Sequence, residues 1–402
     1  GTILNRIVRW TNDGLEYEAD PRQAETLVDE LGLQGAKGLS TPAVKPSIGS
    51  IRGDKKLSED KVTHFRALAA RANYLSADRP ECQFAAKEIC RFMAEPTVLS
   101  TEALKRLGRY LVKFPRLIYK YPFQTVVEGL DVYVDTDHAG CLRTRKSTSG
   151  GCIIVGRHLL KSWSSTQPTI TLSSGEAELH GVVKGSANGL GFLSMLADFQ
   201  ITLPLRVWTD SSASKGICSR QGLGKVRHLD VQDLWIQQRL RNGDFSLYKI
   251  KGDDNPGDLF TKASLTYSRI EALLTMLGCI YQEGRAESAP ALRHKGGEKR
   301  VLEAERRPRW SDENESDSEE NSSNHGRDIG ERAAIELLKR VGFPHSRARD
   351  YRKEQARDPY PELPECRDHM TDLGESIGRD NRGRSSLPQM KISRLRGSKE
   401  GC

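Results

Sequence analysis

The chain has 402 residues, of which 37% are hydrophobic and 6% aromatic, and its mean hydropathy is −0.58; it is too long and too polar for one core, and part of it is predicted to lie outside any core. No run reaches the roughly 20 apolar residues that cross a bilayer, and no basic-then-apolar signal opens the chain, which excludes a membrane partner and predicts a soluble intracellular protein, cytoplasmic or nuclear. The net charge of +8 suits a polyanionic partner without specifying one, and the eight cysteines form no C-x-x-C pair, which speaks against a zinc or dithiol site.

Residues 1–48 contain the alternating runs "NRIVRW" and "LEYEAD", then "DPRQAETLVDELGL", where Ala24, Leu27, Val28 and Leu31 recur at helical spacing. This predicts a strand pair and a helix ending before "LSTP". Because the chain opens at Gly1 in mid-pattern, it is expected to be a piece of something longer. A polar link with Gly49 and Gly53 leads to Ser58, a helix cap followed by Glu59 and Asp60 in the first turn. Val62, Phe65, Ala69 and Ala72 make one helical face, and two more helices are predicted near 81–93 and 101–113.

From Leu130 the pattern changes. "LDVYVDTD", "GGCIIVGRH", "LLKSWSS", "PLRVWTD" and "FSLYKIK" read as strands, with helices at 174–197, 211–219 and 228–242 and a last one starting near 256. The order predicts an α/β fold, a mixed five-stranded sheet with flanking helices, preceded by the small helical unit. Beyond about residue 283 periodicity stops: "SDENESDSEENSSN" is predicted disordered, and "GERAAIELLKRVG" is at most one isolated helix.

Four acidic residues stand at element ends. Asp135 closes the first strand of the sheet, on the face opposite Val132 and Val134, and Asp210 ends "LRVWTD" in the same way. Either aspartate alone also serves as an ordinary cap. Between them, Ser173 and Glu176 form a capping box, which gives Glu176 a local task. Glu178 lies roughly 200° around that helix from Glu176, on the side of Val182, Gly185 and Gly189. Since glycine costs about 1 kcal/mol inside a helix, Gly181, Gly185 and Gly189 predict close packing on the sheet, with Glu178 held against the strand ends. Asp258 in "NPGDLFTK" opens the last helix, as a cap or as a fourth ligand. Four carboxylates are hard oxygen ligands of the kind that hold Mg²⁺ or Mn²⁺, and two such ions can activate a water against a phosphodiester. In "TRKSTSGG" the glycines follow Lys146 instead of preceding it, so this is not a phosphate loop; Arg143, Arg145 and Lys146 at a hairpin start are either phosphate contacts or a solvated turn.

"YVDTDHAG", "TRKSTSGG", "LLKSWSSTQPTITLSSGEAELHG", "VWTDSSAS", "RHLDVQDLWIQQRL" and "NPGDLFTK" resemble, in order, the blocks of the ribonuclease H domain in copia-type retrotransposon Pol polyproteins. Upstream, "GLSTPAVK", "FRALAARANYLSADRPECQFAAKEICRFMAEPT" and "LKRLGRYLV" are similar to the segment joining reverse transcriptase to that domain. The resemblance implies residues 1–48 as the end of a reverse-transcriptase-like region, 49–127 as a helical connection, 128–265 as a ribonuclease H-like domain and 266–402 as a mostly disordered charged tail. It also implies Asp135, Glu178, Asp210 and Asp258 as catalytic metal ligands with two Mg²⁺ or Mn²⁺ ions, and Arg143, Arg145, Lys146, Ser147 and His228 on the substrate side, although a core or capping role suits His228 equally. The implied reaction is hydrolysis of the RNA strand of an RNA/DNA hybrid, recognised by shape and 2′-hydroxyls, in a protein whose other partner is the remainder of the Pol polyprotein.

Two departures accompany the resemblance. "YVDT" has Thr136 where a polymerase Y-x-D-D box has its second aspartate, so polymerase activity is expected to be absent; Asp137 and His138 are then turn or substrate-side residues. Where related nucleases carry a mobile histidine before the last carboxylate, this chain has Asp253 and Asp254. The alternative reading is an inactive or repurposed nucleic-acid-binding remnant.

Overall fold

The computed structural model describes residues 1–125, 127–222, 224 and 234–291. Thr2–Ile3 (β1), Arg6–Thr11 (β2) and Gly14–Glu18 (β3) form an antiparallel meander, so the strand pair expected from the alternating runs is present. Pro21–Glu30 (α1) begins where Asp20 accepts from the Arg22 amide at 3.1 Å and proline takes the first turn, where its missing N–H is not needed. A short helix at Ile48–Arg52 (α2) precedes Glu59–Ser76 (α3), Gln83–Cys90 (α4) and Val98–Lys113 (α5). Thr97 and Ser100 cap α5 reciprocally, each side chain bonding the other's backbone N–H. The apolar faces of α1, α3, α4 and α5 close one core around Leu27, Phe65, Leu68, Ile89, Leu104 and Leu107. Arg116–Pro122 (β4) then pairs with β3.

The five runs read as strands from Leu130 onward make a second sheet: Leu130–Asp137 (β5), Thr148–Val155 (β6), His158–Thr166 (β7), Leu205–Thr209 (β8) and Ser246–Lys249 (β9). Their order is β7-β6-β5-β8-β9, with β5, β6 and β7 antiparallel and β5-β8 and β8-β9 parallel. This is the ribonuclease H-like mixed sheet. Ser174–Asp198 (α6), Ser212–Ser219 (α7) and Trp235–Arg241 (α8) pack on one face, around Leu130, Val132, Val134, Leu179, Val182 and Val207.

The glycines of α6 explain how closely it sits. A Cβ on Gly181 would lie 2.6 Å from Thr136 Oγ1, one on Gly185 2.3 Å from Val134 Cγ1, and one on Gly189 2.7 Å from Leu205 Cδ1, while at Gly191 nothing lies within 4 Å. The expected close face is therefore the observed one. Gly185→Ala should cost about 1–3 kcal/mol by overpacking, whereas Gly191→Ala should stabilise by up to about 1 kcal/mol through helix propensity. Urea unfolding of the two variants checks the opposite signs.

Tyr267–Met276 (α9) and Cys279–Gln282 (β10) follow the last strand of the second sheet. The boundary read at residue 265 left them in the tail; here β10 pairs antiparallel with β4, completing the first sheet as β1-β2-β3-β4-β10. The reason is apolar: Ile270, Leu273, Leu274, Leu277 and Cys279 are buried with Leu117 of β4, Ile154 of β6 and Phe260 in a core shared by the two sheets. The acidic run and the isolated helix expected in the tail lie outside the described residues. Among the described residues no helix is long and apolar enough to cross a membrane.

Candidate active site

The parallel register of β5 and β8 pairs Tyr133 with Trp208, and two residues further along each chain stand Asp135 and Asp210. The two carboxylates thus leave the same end of neighbouring strands. Ser173 caps α6 by accepting from the Glu176 amide at 3.2 Å, and Glu176 accepts from the Leu172 amide at 2.8 Å. Glu176 therefore fixes the entry to α6, and Glu178, in the next part of the turn, faces the strand ends. Ligand oxygens of Asp135, Glu178 and Asp210 all lie within 4.8 Å of one another.

The fourth predicted residue is held differently. Asp258 lies in the 3₁₀ turn Pro256–Phe260, which Asn255 ties to β5: its amide donates to the Val134 carbonyl at 2.9 Å and its side-chain oxygen accepts from the Gly257 amide at 3.0 Å. One Asp258 oxygen accepts from Lys262 and the other from Arg269 at 3.0 Å, so both are engaged by cations. Thr261, fully buried, donates to Asp135. The sequence offered Asn255 or Pro256 as the opening of this turn, and Asn255 caps it. Thr261, Lys262 and Arg269 were not singled out: the first two lie in "NPGDLFTK", at spacings from Asp258 that bring them near it in a tight turn, whereas Arg269 comes from α9 and has no such local signal.

Electrostatics separates these groups. Burial is the main reason the Glu178 carboxyl is pushed up to about 9, with the charges of Asp135 and Asp210 adding to it and Lys262 opposing. Burial likewise lifts Asp135 to about 6 against the Thr261 hydrogen bond and Lys262, with Asp258 and Asp210 assisting. Asp210 is also raised, by burial first, against Lys262. Burial would lower the Lys262 ammonium, but its bond to Asp258 and the surrounding carboxylates more than offset this and raise it. Three carboxylates that resist ionising together lack positive charge. Glu178 Oε2 is buried with no hydrogen-bond partner, and the donor set is entirely oxygen; both features fit a hard divalent cation.

The predicted substrate-side residues divide. Arg143 is exposed, with its guanidinium 4.2 Å from the centre of the Phe92 ring. Arg145 is exposed in a left-handed turn position at φ 57°, and Lys146 is partly buried beside it. Ser147 is fully buried: its hydroxyl accepts from the Ala139 amide at 3.0 Å and meets Thr171 Oγ1 at 3.1 Å, which braces the turn and leaves nothing for a ligand. Asp137 ends β5 and His138 Nδ1 lies 3.4 Å from Thr171 Oγ1, so both belong to the turn. His228 lies outside the described residues. Asp253 and Asp254 form a 3₁₀ turn with Gly252, which packs against Asp210.

No family model matches the chain. It is 28% identical over 232 residues to the retrovirus-related Pol polyprotein from transposon RE1 of Arabidopsis thaliana, covering 56% of this chain and 16% of that protein. It is 31% identical over 172 residues to an uncharacterized mitochondrial protein of the same plant, covering 42% of this chain and 70% of that one. The chain thus spans about a sixth of the transposon polyprotein it matches. Among solved structures, a ribonuclease H1 isolated from compost is 17% identical with a TM-score of 0.25, covering 33% of this chain and 93% of that chain. By these sequence likenesses the chain belongs to the family of retrovirus-related Pol polyproteins from transposons.

Proposed function

We propose that the domain built on the second sheet is a divalent-metal-dependent endonuclease that hydrolyses the RNA strand of RNA/DNA hybrids as part of a retrotransposon polyprotein. The observation that carries this reading is the convergence of Asp135, Glu178 and Asp210, from two strand ends and a helix, within 4.8 Å. Asp135, Glu178 and Asp210 would hold Mg²⁺ or Mn²⁺. When bound, such ions, one or a pair, supply an activated water and stabilise the departing oxygen of a phosphodiester. The chain's own part is to hold the ligands. Thr261 orients Asp135, the glycine face of α6 fixes Glu178, and the β5-β8 register sets Asp210 beside Asp135. Asp258 joins the ligand set only where Lys262 and Arg269 release it; otherwise it anchors Lys262 beside the cluster.

Cleavage of an end-labelled hybrid by the whole chain tests the reading. Cleavage is expected with Mg²⁺ and none with EDTA. Asp210→Asn should abolish cleavage yet keep hybrid binding, because it removes one ligand charge and little shape. Binding without cleavage by the wild-type chain would instead support an inactive nucleic-acid-binding remnant. Equal loss of binding and cleavage in Asp210→Asn would make Asp210 structural.

A further inference from the structure

Beside the carboxylate cluster runs a groove of about 830 Å³, walled by residues 39–51, by α4 and α5, and by the 137–143 turn with residues 262–265. Asp137 and Lys262 line it, and Lys262 also pairs with Asp258, so the groove opens next to the cluster. We propose that this groove binds the phosphodiester backbone of a nucleic-acid strand, with the guanidinium groups of Arg106 and Arg109 on α5 as its principal phosphate contacts. The proposal deepens the nuclease reading and rests on it only for the direction in which the strand leads.

Arg106 and Arg109 stand one helical turn apart and both line the groove. Their protein contacts are neutral: Arg106 Nη2 donates to Thr41 Oγ1 at 2.6 Å, and Arg109 Nε donates to the Lys37 carbonyl at 2.8 Å. Among the described residues neither has a carboxylate partner, and Arg106 Nε is buried with no hydrogen-bond acceptor. Burial first, and then the charge of Arg109, lower the Arg106 guanidinium, and no acid offsets them. An anion between the two would offset their like charges, and a phosphate matches the planar fork of arginine.

Four acidic residues line the groove against seven lysines and arginines. Glu88 accepts from Arg91 at 3.0 Å and from Lys87 at 2.5 Å, Asp54 accepts from the Leu99 amide at 3.0 Å at the start of α5, Asp137 feels the charges of Lys45, Lys87 and Lys262, and Glu102 is exposed. Lys45, Lys105 and Arg143 line the rim with exposed side chains, so the surplus charge is positive. An acidic peptide shares that attraction. The nucleic acid is favoured because the groove is continuous with a site whose ligand set suits a phosphodiester.

The test is binding of a labelled RNA/DNA hybrid to the whole chain in EDTA, followed by anisotropy from about 50 to 200 mM salt. Each lost phosphate contact should lower the salt slope by about 0.9. Arg106→Gln/Arg109→Gln should therefore lose close to two units of slope and bind about tenfold more weakly at low salt. Because these arginines also hold residues 37–41, Lys105→Glu, at an exposed position, is the second variant; it should lower the slope by about one or more. A slope equal to wild type in Lys105→Glu and in a double variant that melts normally overturns the proposal. So does a wild-type chain that binds no hybrid, or polyglutamate binding that is lost in the double variant while hybrid binding stays. Mg²⁺-dependent cleavage by the wild-type chain, measured alongside, tests the nuclease reading separately: cleavage with unchanged slopes removes only the groove, and reduced slopes without wild-type cleavage remove only the nuclease.

Discussion

Glu178→Gln should lower hybrid cleavage by at least about a hundred-fold, beyond what loss of an outer-shell partner usually costs, and yet make the metal-free protein more stable at pH 8. The Glu178 carboxyl is pushed up to about 9, mainly by burial, whereas an unperturbed one titrates near about 4.3. A carboxyl raised in the folded state stabilises that state fully below its unfolded value, and the contribution is lost as pH rises through the folded value. Metal-free wild type should therefore lose stability between about pH 4 and 9, while glutamine, neutral throughout, loses none from this position. At pH 5 the two should melt alike; at pH 8 in EDTA the variant should melt higher. Saturating Mg²⁺ should narrow the gap at pH 8, because it stabilises only the protein that binds it well. Thermal melts at the two pH values, with and without Mg²⁺, and single-turnover cleavage check both halves. Glu176→Gln should leave most of the cleavage intact, since the Glu176 carboxylate accepts from the Leu172 amide at the start of α6 and lies outside the three-carboxylate group. Loss of cleavage in Glu176→Gln with retention in Glu178→Gln would reverse the assigned register.

Arg79→Met should destabilise the fold by about 3–5 kcal/mol, the cost of leaving one member of a buried ion pair alone. Arg79 and Glu81 are 1% and 2% exposed, and the guanidinium Nε lies 2.6 Å from Glu81 Oε1. The same guanidinium donates to the carbonyls of Phe114 at 2.8 Å and Pro115 at 3.2 Å, where α5 gives way to β4. Removing it strands the Glu81 charge and two backbone acceptors. The double variant Arg79→Met/Glu81→Leu should recover the part due to the stranded charge and remain short of wild type by about 1–3 kcal/mol for the unpaired carbonyls. Denaturant unfolding of both single variants and the double gives the coupling energy. A double variant as unstable as Arg79→Met would show that Arg79 acts only through Phe114 and Pro115.

Local composition and periodicity along the chain were enough to determine several features of this protein. Runs rich in β-branched and aromatic residues from Leu130 onward marked all five strands of the second sheet, because such side chains fit a pleated, packed surface. Glycines four apart on α6 marked its closest face and so the side on which Glu178 lies, and Asp135 and Asp210 read as strand-end residues; in the fold Asp135 lies two residues inside the end of β5 and Asp210 directly after β8. Each of these is a local regularity of one element. Tertiary structure alone decided what depends on distant segments meeting. Cys279–Gln282 is a four-residue strand whose partner, β4, lies far upstream, and nothing in its own composition names that partner. Asp258 read as a ligand, but α9 brings Arg269 onto it and the turn brings Lys262, so its charge is shared with cations. The resemblance implied Ser147 as a substrate contact, yet the hairpin folds it inward against Ala139 and Thr171. The groove that exposes Arg106 and Arg109 exists only because residues 39–51 pass over α5 and the 137–143 turn faces them. A chain records locally which faces are apolar; which of those faces meet is settled by burial and pairing among segments far apart in the sequence.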